Sequence, residues 1–409
     1  MSRKNYDWKG GAELGSHSEK KHVVLEKYFR EYLLTRCKKP LQETFRLVVV
    51  DGFSGGGRYK EGDLGSPILF IEALIKTSNE ISIRRVSQGF RPVRIICHLI
   101  FNDISREATE QLKSFLAPYL LKAKNEARNL EISHECHCDP FEFLYPRLKE
   151  RLNAIRTGNV IFNLDQCGYS HVPSKIIRDI MVSWRNAEII FTFAIGSMLT
   201  FLSQDSKKSG ASLESDMRER IDLIIDDKSL LSKKEWMGEA EKIVYFFLKE
   251  CAPFVSPFSI NNPDGWNYWL MHFANSYRAR QVYNNILHEE SDTQAHFGRA
   301  GLKMLSYDPS ENGAQLYLFD SDSRKLASES LIDDIPDLVS RSGDTMLVED
   351  FCATVYNDTP AHSEDINQSI INSPDMEVIT GKGGVRKKPN SIKVTDTIKI
   401  KGQRSFIFT

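Results

Sequence analysis

Four aspartates, Asp51, Asp103, Asp139 and Asp165, each follow a short, partly apolar run, and a glycine cluster follows the first. That first stretch reads Arg46-Leu47-Val48-Val49-Val50-Asp51-Gly52-Phe53-Ser54-Gly55-Gly56-Gly57-Arg58-Tyr59. A β-branched run too brief for a helix, ending in an acid and glycines, predicts a buried parallel strand entering a tight loop. In open α/β sheets ligands sit beyond the carboxyl ends of the strands, where glycines let the backbone approach closely. A carboxylate at that point suits an ammonium group or hydroxyls better than phosphates. Neither nucleotide fingerprint is present: there is no Gly-Lys-Ser/Thr ending and no Gly-x-Gly-x-x-Gly spacing. A plain connecting turn would use the same residues, so this stretch alone leaves both alternatives open.

The elements that must position these acids follow from periodicity. Val23, Val24, Leu25, Tyr28, Phe29, Tyr32, Leu33 and Leu34 have helical spacing and predict a helix ahead of the first strand. Its Lys20, Lys21, Lys27 and Arg30 are expected on a solvated face, and residues 1–18 as a disordered tail. Ser66-Pro67 opens a helix through Ile75, with proline at its first turn. The polar, basic residues 78–93 are expected to form an insertion. Further strands are expected over Val93–Phe101, Asn129–His134, Asn159–Leu164 and Ala187–Phe193. Helices are expected between them, over 105–121, 140–155 and 174–184. Strands alternating with helices, each ending in a polar residue, predict a doubly wound sheet whose four acids converge along one rim.

Composition bounds the function. The 409 residues suffice for two or three domains, and 41% hydrophobic with 27% charged residues is an ordinary globular balance. Lys+Arg 54 against Asp+Glu 55 gives no global field towards nucleic acid or membrane, so any such surface is local. Seven scattered cysteines suit reduced thiols. With no apolar leader or spanning run, the expected location is cytoplasmic, with no membrane partner. Cys136-His137-Cys138 lacks a second pair at metal spacing, so structural thiols are expected and no metal. His272 and His296 are expected to be packed or exposed rather than catalytic.

A rim of acids with a glycine loop has a use. S-adenosylmethionine offers a cation, a ribose diol and an adenine amino group, and no phosphate. The succession resembles a class I S-adenosylmethionine-dependent methyltransferase, a Rossmann-like fold. The resemblance implies cofactor binding by Asp51, Gly52, Phe53, Gly55 and Gly57, with Asp103 at the ribose and Asp139 near the adenine. It implies that Asp165-Gln166-Cys167-Gly168-Tyr169 faces the transferred methyl, with Asp165, Gly168 and Tyr169 catalytic and transfer helped chiefly by positioning. The wide gap from Asp51 to Asp103 requires residues 78–93 to be looped out.

Asp51 to Tyr59 with Gly65-Ser66-Pro67, the Asp165 loop, Tyr268–Ala274 and His296–Leu305 also resemble the three-Cys-motif partner protein family. That resemblance implies a methyltransferase-like domain, expected over 19–290 with 205–235 as an insertion or cap. It also implies association with a radical-SAM-like partner that bears the three cysteines.

Beyond a connecting region, 291–340, the pattern changes. A helix over Met346–Tyr356, a turn at Asn357–Pro360 and a helix capped by Ser363 precede two β-runs, Met376–Thr380 and Ser391–Ile400. Their glycine-rich link carries Lys382, Arg386, Lys387 and Lys388. The order resembles a winged helix over 341–409, and a cationic wing suits the phosphates of DNA or RNA. A protein-binding winged helix or a solvated loop would use the same pattern. The expected function is therefore a methyltransferase-like protein acting on or alongside nucleic acid, in repair, modification or defence. A non-catalytic adaptor subunit is the alternative from another class, and a nuclease or glycosylase using the same acids is a third.

Overall fold

The computed structural model describes residues 8, 12–155, 157–204, 214–225, 233–256, 259–261, 267–289, 294–296, 301–305, 317–318 and 321–402. The chain forms two compact units, 1–275 and 276–409.

In the first unit α1 (Ser16–Arg36) leads into β1 (Thr44–Asp51), α2 (Ser66–Ser87), β2 (Arg94–Asn102), α3 (Arg106–Glu126) and β3 (Leu130–His137). There follow α4 (Phe141–Ile155), β4 (Asn159–Leu164), α5 (Ser174–Ser183), β5 (Asn186–Phe193), α6 (Ile195–Gln204), α7 (Ser215–Ile225) and α8 (Lys233–Lys249). Three strands close the unit: β6 (Phe254–Ser256), β7 (Ser259–Asn261) and β8 (Asn267–Ala274). The sheet runs β7-β8-β5-β4-β1-β2-β3, with β6 also paired to β8. Strands β1 to β5 are parallel and β6, β7 and β8 antiparallel.

Helices flank this sheet, which explains the sequence of its centre. Leu47, Val48, Val49 and Val50 in β1 are each at most 2% exposed, so successive side chains are buried on opposite faces. Each contributes roughly 1.5–3 kcal/mol by burial. Order β3-β2-β1-β4-β5 is the doubly wound one, and it reverses direction between β1 and β4.

Two expectations about this unit are corrected. Residues 78–93 are not a looped-out insertion: α2 continues to Ser87 and β2 starts at Arg94. The cause is Arg85, which is buried and donates to the carbonyls of Arg91, Cys37, Lys39, Pro40 and Gln42. A guanidinium with five donors stitches the α1–β1 connection to the end of α2. The gap from Asp51 to Asp103 is thus taken up by the glycine loop, the 22 residues of α2 and the strand β2. The second correction concerns the tail, since Ser16–Ser18 already form the first turn of α1, and Ala12 and Ser18 are buried. Of the expected cap over 205–235, residues 205–213 and 226–232 lie outside the described residues, while α7 and the start of α8 are helical.

The second unit begins with α9 (Tyr277–Glu289), so that helix lies outside the first unit, unlike the span 19–290. Strands β9 (Gln294–His296) and β10 (Tyr317–Leu318) pair antiparallel, and α10 (Ser321–Arg341) follows. Then come β11 (Thr345–Leu347), α11 (Val348–Val355), α12 (Ser363–Asn372), β12 (Met376–Ile379), a 3-10 turn at Pro389–Ser391 and β13 (Thr397–Ile400). The last three strands form an antiparallel sheet in the order β11-β13-β12. The predicted helix over Met346–Tyr356 therefore starts two residues late, after a strand residue pairs Met346 with Ile398. The cap of α12 is His362, whose Nδ1 accepts from the Glu364 N–H, and not Ser363. Polar residues of α9 hold the turn between α11 and α12: Arg280 Nε donates to Tyr356 O and Asn284 Nδ2 to Thr359 O, each at 3.0 Å.

Candidate functional site

The parallel register brings the carboxyl ends of β1 to β4 to one rim, and with them the four acids. Each acid is engaged by the protein, in a different way.

Asp51 ends β1 and is fully buried. Ser66 Oγ, at the start of α2, donates to Oδ2 at 2.6 Å, and Asn163 Nδ2 of β4 donates to Oδ1 at 3.0 Å. Burial pushes its carboxyl up to about 7, and the nearby Asp165 charge adds to this against the pull of those hydrogen bonds. Asp51 is thus an internal brace of the loop rather than a rim contact for an ammonium group. Gly52 packs tightly against it all: a Cβ there would stand 2.8 Å from Leu164 and 2.9 Å from Phe141.

Asp103, just beyond β2, shapes the glycine loop. Its Oδ2 accepts from the Gly55 N–H at 2.9 Å and its Oδ1 from the Ser105 N–H at 2.8 Å. Burial raises its pKa despite both bonds. Gly55 and Gly57 have φ of 59° and 79°, the left-handed region that glycine enters without strain. The loop closes where the Gly65 N–H donates to Gly57 O. Phe53 lies against Phe141 and His171, with ring centroids 5.9 and 6.4 Å away. Asp139 is held by Arg147 at 2.8 Å, and its backbone is tied through Asn102, whose Nδ2 donates to both Gly52 O and Asp139 O.

Asp165, one residue past β4, forms an ion pair with Lys21 of α1, at 2.6 and 2.7 Å from its two oxygens. Lys21 is buried, which corrects its expected place on a solvated face. Burial raises the Asp165 pKa, but the Lys21 ammonium, the Thr192 hydroxyl and His22 together outweigh this and hold the carboxyl below the usual range. Next to it, burial and the Lys21 charge lower His22 to about 4, so its imidazole is neutral at pH 7. Lys21, His22, Ser66, Asn163, Asp165 and Thr192 line a cavity of about 10 Å³ at the switch point.

The rest of the Asp165 loop is built by Gln166. Its buried side chain accepts from the His171 and Val172 N–H groups, and Gly168, at φ 141°, accepts from the Ala194 N–H. Tyr169 lies 6.3 Å from the Phe193 ring, and the two share a cavity of about 40 Å³ with Phe191, Glu214 and Met217. Asp165 lines the cavity at the switch point and Tyr169 the one beside Phe193, while the cationic stretch belongs to the second unit.

There, Lys382, Lys387 and Lys388 are exposed. Arg386 is not a free cation of the same kind: its Nε and terminal nitrogen donate to Asp396 at 2.9 and 3.1 Å. The Arg386 partner was missed because it stands ten residues further on, at the entry to β13. His272, packed inside the first unit, hydrogen-bonds Tyr28 at 2.9 Å, and Tyr28 in turn donates to Glu188. The side chain of His296 lies outside the described residues. Among the described residues, no group of three or more His, Cys, Asp or Glu side chains is arranged to hold a metal ion.

Lys21, Asn102, Asn163 and Gln166 are the site residues that motif reasoning passed over. For Lys21 a signal existed: Lys21, Leu25, Tyr28 and Tyr32 share the buried stripe of α1. For the amides there was none, because a strand-end Asn or Gln is chemically unremarked until its partners are known. No protein-family model matches the chain, and no curated protein matches its sequence.

Proposed function

We propose that the first unit binds S-adenosylmethionine at the carboxyl rim of its sheet, and that the protein is methyltransferase-like and acts on or alongside nucleic acid. The observation that carries this is the reversal of strand order between β1 and β4, with a left-handed glycine loop and strand-end acids gathered at that point. The residues present fit the group. Gly55 and Gly56 form a backbone face without side chains of its own, and Asp103 fixes that face through the Gly55 N–H. When bound, the cofactor supplies an electrophilic methyl group. Asp103 and Asp139 would contact its ribose and adenine side, and Asp51 keeps the loop closed from within. Asp165 and Tyr169 would orient the acceptor.

In the second unit, the order helix, strand, helix, helix and β-hairpin, with a three-stranded sheet, supports a winged-helix reading. Lys382, Lys387 and Lys388 on the link between β12 and β13 then form a cationic wing for phosphates, without help from Arg386. This is the module that would bring the first unit to DNA or RNA.

A second reading has its own observation. Lys21 already neutralises Asp165, as expected if the rim no longer performs transfer and the protein serves as the adaptor of a radical-SAM-like partner. Incubation of the full chain with methyl-labelled cofactor and mixed DNA and RNA separates the two. Label in nucleic acid supports the enzyme; bound cofactor with no transfer, with or without the partner, supports the adaptor.

A further inference from the structure

The glycine loop of the first unit is covered: Trp8 lies over Gly55 and Gly56, with Gln111 also against Gly56 and Leu112 against Gly57. Gly55, Gly56 and Gly57 are buried, although they stand at the rim. A methyl group built on Gly55 would lie 2.6 Å from Trp8 Cζ2, and one on Gly56 would lie 2.5 Å from Trp8 Cε3. The indole therefore rests directly on the bare backbone of both residues. It also packs on Tyr59, ring centroids 5.8 Å apart, and Tyr59 meets His22 at 6.0 Å. Two further contacts pin the N-terminal region to the same rim. The Lys60 N–H donates to Ala12 O at 2.9 Å, and Lys21 occupies Asp165.

These contacts have a consequence for binding. Glycines beyond a strand end are useful because a ligand can touch backbone there. At Gly55 that contact is spent on Trp8, while its N–H is spent on Asp103. The cavity at the switch point holds about 10 Å³, against several hundred for a cofactor pocket. A nucleoside-sized ligand and the indole cannot share the face of Gly55 and Gly56.

We propose that Trp8 is a built-in competitor at this loop, occupying the backbone face that the cofactor must contact and leaving it when the cofactor binds. The proposal rests on the cofactor reading above and adds a regulator to it. Affinity is then reduced by the fraction of molecules with the loop uncovered. If that fraction is about one in ten, removing the indole tightens binding about tenfold.

Calorimetric titration of the full chain with S-adenosylhomocysteine tests this in wild type, Trp8→Ala and Trp8→Phe, each shown to be folded by circular dichroism. Fluorine NMR on 5-fluorotryptophan-labelled protein adds a readout of Trp8 itself, its resonance assigned by its loss in Trp8→Phe. The expected result is a tighter complex for Trp8→Ala, an intermediate one for Trp8→Phe, and a shifted Trp8 resonance at saturation. Binding by wild type with equal or weaker binding by both variants, or with an unmoved Trp8 resonance, overturns the competitor and leaves the cofactor reading standing. No heat from any of the three proteins removes the cofactor reading, and the competitor with it.

Discussion

Lys21 Nζ stands 2.6 Å from Asp165 Oδ1, joining the first helix of the chain to the end of the fourth strand. The lysine side chain is 9% exposed and the aspartate 29%, so the pair is shielded without being sealed. Removing one partner leaves the other charge poorly solvated. Lys21→Met should destabilise the first unit by about 2 kcal/mol, below the range for fully buried pairs because Asp165 keeps some solvent. The double variant Lys21→Met/Asp165→Asn should lose less than the sum of the singles. Urea unfolding of the four proteins measures both, and strict additivity would mean that the pair carries no coupling.

The same aspartate gives a prediction about turnover. If Asp165 orients the acceptor, Asp165→Asn should keep cofactor affinity within about threefold while lowering transfer by about a hundredfold or more. A variant as active as wild type would make the loop structural and favour the adaptor.

Asp51 makes stability depend on pH with an unusual sign. Its carboxyl is raised to about 7 when folded, by burial above all, against an ordinary value near 4 when unfolded. Between about pH 4 and 7 the folded state therefore holds a proton that the unfolded state has lost. Stability contributed by the neutral acid is present below that window and falls as pH rises through it, by up to about 1.4 kcal/mol per unit. Asp51→Asn should flatten the curve over the window. Unfolding curves at pH 5, 6 and 7 decide it, and parallel slopes in the two proteins would contradict the assignment.

In the second unit the four basic residues should separate into two behaviours. Arg386 is paired to Asp396, whose side chain is 2% exposed, so Arg386→Ala should lower thermal stability. Lys382, Lys387 and Lys388 should be replaceable without that loss. Changing these three to Ala should weaken binding to all duplexes alike and flatten the salt slope by about 0.9 per lost phosphate contact. Fluorescence anisotropy at several salt concentrations reads both quantities. An unchanged slope would leave the link between β12 and β13 a protein contact or a plain loop.

The parallel core was legible because burial on both faces leaves a continuous apolar run, as at Leu47–Val50, that no surface segment shows. The rim followed from it, since parallel strands end together. What periodicity could not reveal were partners far away in sequence. Arg85 reads as part of a basic surface until the five carbonyls around it are seen, and Lys21 reads as solvated until Asp165 closes on it. Arg386 is the converse case, a cation that looked free and is tied. Strands of three residues, such as β6 and β7, are too short to carry an alternation signal and are defined by pairing such as theirs with β8.

The central claim is that the rim at the β1–β4 switch point binds S-adenosylmethionine. Equilibrium dialysis of the labelled cofactor tests it most directly, with wild type, Trp8→Ala and Asp103→Ala, all shown to be folded. The account predicts one site per chain in wild type and Trp8→Ala, and affinity at least about tenfold weaker in Asp103→Ala, where the loop loses the acceptor of the Gly55 N–H. Absence of binding in both wild type and Trp8→Ala, or binding indifferent to Asp103, would contradict it.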